Sequence, residues 1–86
     1  MTFTVTLASQ PRKFIKKLSE PNLARVFKKL DALSSNPLPK GAKIVEGRRE
    51  KTYRVRAGDI RILYTVFWEE KVVLISIIDR RPTAYR

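Results

Sequence analysis

Residues 52–66, TYRVRAGDIRILYTV, admit one clean strand register. A two-residue loop at Gly58-Asp59, with glycine supplying the positive φ of a primed turn, pairs Ala57 with Ile60, Arg56 with Arg61, Val55 with Ile62, Arg54 with Leu63 and Tyr53 with Tyr64. Tyr53, Val55, Ile62, Tyr64 and Val66 then share one face, and Arg54, Arg56 and Arg61 share the other. A three-residue loop would set Val55 against Arg61 and mix the faces. A slip of one residue moves every side chain to the opposite face, so the pattern fixes the register. The rest of the chain must cover the apolar face, and the other face must tolerate three guanidiniums.

The cover comes from the first forty residues. FTVTLA (3–8) alternates as a strand does. Ser9 is a helix N-cap candidate, Pro11 fits the first turn, and Phe14, Ile15 and Leu18 recur at helical spacing. Ser19 caps a second helix on the same logic, with Pro21 in its first turn. Leu23, Val26, Phe27, Leu30 and Leu33 form its apolar stripe, and SSNPLPKG (34–41) ends it. From residue 42 the period becomes two. AKIV (42–45) is a short strand, EGRRE (46–50) a charged loop, and VVLISII (72–78) a strand apolar on both faces. No repeat, low-complexity tract or linker divides the 86 residues, which suffice for one domain, 1–86. The order βααββββ predicts an α+β fold: an N-terminal strand and helical hairpin packed on a mostly antiparallel sheet.

Composition narrows the chemistry. There is no cysteine and no histidine, so thiolate nucleophiles, cysteine-ligated metals and imidazole acid–base steps are excluded. No cofactor or metal is expected. Nineteen Lys and Arg against eight Asp and Glu give +11, a field suited to nucleic acid or an acidic partner. No apolar run approaches the roughly 18 residues of a membrane span, and MTFTVTLAS reads as a strand and not a signal peptide. A soluble, cytoplasmic protein is expected.

Arg56 opposite Arg61 is a like-charge cross-strand pair, destabilising by up to about 1 kcal/mol. Either the arginines splay into water or are neutralised by Asp59 and Glu50, or their forks are held ready for phosphate. DRRPTAYR (79–86) adds to this face. With the preceding turn at Glu69-Glu70, Ile78 falls opposite Arg61, and Arg80 and Arg81 reach the same end of the sheet. Strict alternation puts Arg80 on the arginine face, but the strand stops before Pro82, and periodicity does not choose between the two. Tyr85 reads equally as a core or a functional tyrosine.

YRVRAGDIRILYTV and IIDRRPTAYR together resemble the RelE toxins of the RelE/ParE superfamily, over nearly the whole chain. The resemblance implies a RelE-like fold and a metal-independent endoribonuclease that cleaves messenger RNA in the ribosomal A site, leaving a 2′,3′-cyclic phosphate. It assigns Arg54 and Arg56 to the family's two basic strand positions, Arg61 to the arginine after the glycine turn, Arg81 to the arginine after the last strand, and Tyr85 to the terminal tyrosine. Arg80 stands where many relatives have histidine, Ile60 where an aromatic is usual, and arginines where some active members have lysines. Arg61 and Arg81 would clamp the scissile phosphate, Arg54 and Arg56 would position the backbone, and Tyr85 would be the base. Lys13, Lys16, Lys17, Arg25, Lys28, Lys29, Arg48, Arg49 and Arg80 would contact ribosomal RNA, although such runs on helices also read as solvated faces. An acidic RelB-like antitoxin would be the protein partner. Two other readings stay open: a ParE-like toxin that inhibits gyrase without cutting nucleic acid, and a basic RNA-binding module.

Overall fold

The computed structural model describes residues 2–80. The elements follow as β1 (Thr4–Leu7), α1 (Ser9–Lys16), α2 (Asn22–Ser35), β2 (Lys43–Val45), β3 (Thr52–Ala57), β4 (Ile60–Phe67) and β5 (Val72–Arg80). The five strands form one sheet in the order β1-β5-β4-β3-β2. β1 runs parallel to β5 and every other pairing is antiparallel. The α+β arrangement, with a helical hairpin on one face of the sheet, is the expected one.

The β3–β4 hairpin has all five anticipated pairs, and Gly58 carries the positive φ, 68°, that the turn needs. Its apolar face supplies Val55, Ala57, Ile60, Ile62, Tyr64 and Val66 to the core, where they meet Val73, Ile75 and Ile78 of β5 and Val26, Leu30 and Leu33 of α2. Phe14, Ile15 and Leu18 pack against the edge of this cluster from the first helix and its exit. Tyr64 is fully buried, and its hydroxyl donates to the Pro37 carbonyl at 2.7 Å, which ties the proline-rich loop after α2 beneath the sheet.

Three local expectations are corrected. Ser9 is already helical, with Ala8 at the cap position and no side-chain cap. α2 starts at Asn22 with Pro21 preceding it, and the capping is done by Glu20, whose carboxylate accepts from the Ala24 N–H at 3.3 Å, and by the Ser19 carbonyl rather than its hydroxyl. The third correction bears on the site. Near the β4–β5 turn the pairing follows the expected register, Phe67 with Val72 through Tyr64 with Ile75. An irregularity at Leu63/Tyr64 then leaves Ser76 without a partner, and Leu63 pairs with Ile77. An extra residue in one strand shifts everything beyond it by one position. Asp79, not Ile78, therefore lies opposite Arg61, and Arg80 lies opposite Ile60.

Gln10 holds the shifted end of β5 in place. Its amide donates to the Ile78 carbonyl at 2.8 Å and accepts from the Ile78 N–H at 2.9 Å. β1 ends its pairing at Ile75, with one further bond from the Ala8 N–H to the Ile75 carbonyl. A side-chain amide thus extends the ladder where the strand has turned into α1. Both orphaned backbone groups of a half-buried segment are satisfied by one residue.

Candidate functional site

The face of the sheet away from the helices carries the arginines. One cross-strand row runs Arg56–Arg61–Asp79 across β3, β4 and β5, and the next runs Lys43–Arg54–Leu63–Ile77 from β2 to β5. Arg56 is exposed, while Arg54 and Arg61 are half-buried, so the three share a face without being equally open. Arg61 is engaged by Asp79 through two parallel bonds, Nε to Oδ1 at 3.0 Å and Nη2 to Oδ2 at 3.1 Å. This fork-on-carboxylate geometry is the strong form of the interaction. Neutralisation by Asp59 and Glu50 was one of the alternatives, and at Arg61 the bulge brings Asp79 instead. Asp59 pairs with Arg80, at a longer 3.4 Å. Arg80 is therefore off the arginine row, contrary to strict alternation, because the bulge reverses the parity of the strand beyond Ser76.

β2 covers β3 only as far as Arg54, so β3 from Val55 onward is an edge. Alongside it lies a cleft of about 300 Å³ lined by Lys29, Pro39, Gly41, Lys43, Arg54, Val55 and Arg56. A second hollow continues toward the hairpin tip, where Arg25, Lys28, Lys29 and Ala32 of α2 face Arg56, Ala57 and Gly58. The helix spacing that put Val26, Leu30 and Leu33 in the core also turns Arg25, Lys28 and Lys29 toward this edge. Both hollows gather cations from distant parts of the chain, and among the described residues neither lining contains a carboxylate. Arg48 and Arg49 line a pocket with Glu50, Thr52, Thr65, Leu74 and Ser76 on the arginine side of the sheet. Lys13, Lys16 and Lys17 are exposed at α1, and among the described residues no pocket or ion pair joins them to the arginine row. Arg81 and Tyr85 lie outside the described residues.

Both described tyrosines, Tyr53 and Tyr64, belong to the helix-covered face, so neither stands among the arginines. Sequence reasoning missed Asp79. It is the only acidic residue in any of the five strands, and that singularity was the available signal. Chemically, the face offers guanidiniums spaced along a rigid hairpin for phosphate oxygens, with one carboxylate already in place among them.

The chain resembles known toxins over nearly its whole length. The family model of the ParE toxin of the type II toxin–antitoxin system, parDE, matches residues 3–83. A Methanocaldococcus jannaschii relative bearing a RelE toxin name is 35% identical over 89 aligned positions, covering 100% of this chain and 98% of that one. Among solved structures, the archaeal RelE–RelB complex from Pyrococcus horikoshii matches at 31% identity with a TM-score of 0.83, over 98% of this chain and 100% of that one. The RelBE2 toxin–antitoxin complex from Mycobacterium tuberculosis matches at 29% identity and a TM-score of 0.81, over 94% of this chain and 100% of that one. No helix among the described residues is long and apolar enough to cross a membrane. With a matching family model over almost its whole length, a relative 35% identical across the chain and the same fold, this chain belongs to the RelE/ParE family of type II toxin–antitoxin toxins.

Proposed function

We propose that this toxin is a ribosome-dependent messenger-RNA endonuclease that works without a metal. The observation that carries the reading is the placement of Arg54, Arg56 and Arg61 on one face of a rigid hairpin, beside a cleft lined with further cations. The ribose 2′-oxygen attacks the adjacent phosphorus, the bond to the 5′-oxygen breaks as that oxygen takes a proton from water, and a 2′,3′-cyclic phosphate and a free 5′-hydroxyl are left. Arg61 and Arg81 stabilise the charge that builds on the phosphorane, Arg54 and Arg56 hold the neighbouring backbone, and Tyr85 accepts the 2′-OH proton. Arginine is a poor proton donor because its pKa exceeds about 12. A site with so few titrating groups depends on positioning, and the ribosome supplies it by holding the codon in the A site. Arg25, Lys28, Lys29, Arg48, Arg49 and Arg80, and more remotely Lys13, Lys16 and Lys17, dock on ribosomal RNA. The antitoxin-bound relatives support an acidic antitoxin as the partner of this chain.

Primer extension on ribosome-bound message with purified toxin tests the reading, and discrete cuts within A-site codons are expected. A second reading is favoured by the ParE description of the family model: a toxin that acts by binding gyrase. Intact message together with inhibited supercoiling by gyrase would decide for it. Tyr85→Phe separates the roles within the first reading. Loss of a general base lowers cleavage by about a hundredfold or more, whereas a ring that only stacks on a base leaves the Phe variant active.

A further inference from the structure

We infer that Asp79 is a built-in competitor for phosphate at Arg61. The inference rests on the reading that the arginine face takes RNA phosphates, and it adds a control to that face. The Asp79 carboxylate occupies the Nε/Nη2 edge of Arg61 with two bonds, at 3.0 and 3.1 Å. That edge is also the one on which a guanidinium receives two phosphate oxygens. A phosphate reaching it must displace the carboxylate.

The arrangement is built and not incidental. Asp79 is the sole acidic residue in the five strands, against the basic strand residues Lys43, Arg54, Arg56, Arg61 and Arg80. Without the irregularity at Ser76, apolar Ile78 would stand opposite Arg61. The Gln10 clamp on Ile78 fixes the register one residue before Asp79, so the carboxylate is held where the guanidinium is. The side chains remain 30% and 37% exposed, within reach of a ligand from solvent. A partly exposed pair contributes little to stability, so it yields to a ligand that brings several phosphates at once. Asp79 also offsets the repulsion between Arg56 and Arg61, and an arriving phosphate takes over that task when the carboxylate leaves. In the unbound toxin the face is thereby restrained toward isolated anions and loose RNA. It opens where RNA is presented by a second set of contacts.

The test is binding of a twelve-nucleotide oligouridylate to purified toxin at several salt concentrations. Asp79→Asn is expected to bind about tenfold tighter, with a salt slope steeper by about 0.7, the increment for one further phosphate on a single strand. Asp79→Ser serves the same comparison if the Asn variant folds poorly. Glu70→Gln, in the β4–β5 turn at the far end of β5, makes the same change in net charge and is expected to gain less than about twofold. The gain at Asp79 should vanish in an Arg61→Ala background. Asp79→Asn binding no tighter than Glu70→Gln, or a gain that persists without Arg61, overturns the competitor role. Binding by the Asp79→Asn variant that is indifferent to Arg54→Ala and Arg56→Ala as well as to Arg61→Ala would instead remove the arginine face itself as the phosphate site.

Discussion

Tyr64 shows how a single side chain can set an alkaline limit on a fold. Burial foremost, and the neighbouring Tyr53 second, push its phenol up to about 12. The unfolded phenol titrates near ~10, so the fold favours the protonated form. The stability from this group is complete below about pH 10 and is lost as pH climbs through about 12. Urea melts across that window should show a decline of about 2–3 kcal/mol, and Tyr64→Phe should remove most of that decline. At neutral pH the same variant should cost about 1–2 kcal/mol, because the Pro37 carbonyl loses its partner. On the proposed endonuclease reading, Arg61→Ala at the other face should lower A-site cleavage by about a hundredfold with the fold intact, the usual worth of one transition-state donor. Cleavage rates on programmed ribosomes check this, and an unchanged rate would take Arg61 out of the site.

At the scale of elements, the end of β5 is held by α1 through one glutamine. Gln10→Ala leaves both Ile78 backbone groups without their partner and should cost about 1–3 kcal/mol. Hydrogen exchange would localise the loss: the Ile78 amide should exchange faster, while those within β3 keep their protection. Glu20 has a similar but smaller role at the start of α2. Its bond to the Ala24 N–H is exposed, and Glu20→Ala should cost no more than about 1 kcal/mol in a thermal melt.

For the whole molecule, +11 on 86 residues favours association with an anionic partner. The cations are concentrated where α2 approaches the open edge of β3, a surface suited to an acidic chain. Binding of the cognate antitoxin should be fast and should weaken as salt rises, yet persist at 1 M, where the Debye length is only about 3 Å. The residual part is expected from apolar area buried between the two chains, which salt does not screen. Titration calorimetry from low to high salt checks both parts, and complete dissociation at moderate salt would leave electrostatics alone.

The sequence by itself determined the β3–β4 hairpin, its register and the division of its faces, because arginines alternate with apolar residues there and only one phase buries the apolar set. It also determined the second helix, but of the expected stripe Leu23, Val26, Phe27, Leu30 and Leu33 only Val26, Leu30 and Leu33 are buried, while Phe27 stays 49% exposed. β5 was different. VVLISII is apolar on both faces, so a slip of one residue leaves an apolar face either way, and alternation carries no information about where Asp79 and Arg80 fall. Tertiary packing settled that through the bulge at Ser76 and the Gln10 clamp, and so placed a carboxylate on Arg61. The meeting of Arg25, Lys28 and Lys29 with Arg56 was likewise beyond periodicity, since it depends on how far β2 extends along β3 and where the helix crosses that edge. Local pattern fixes which residues share a face; only long-range packing fixes which residues share a site.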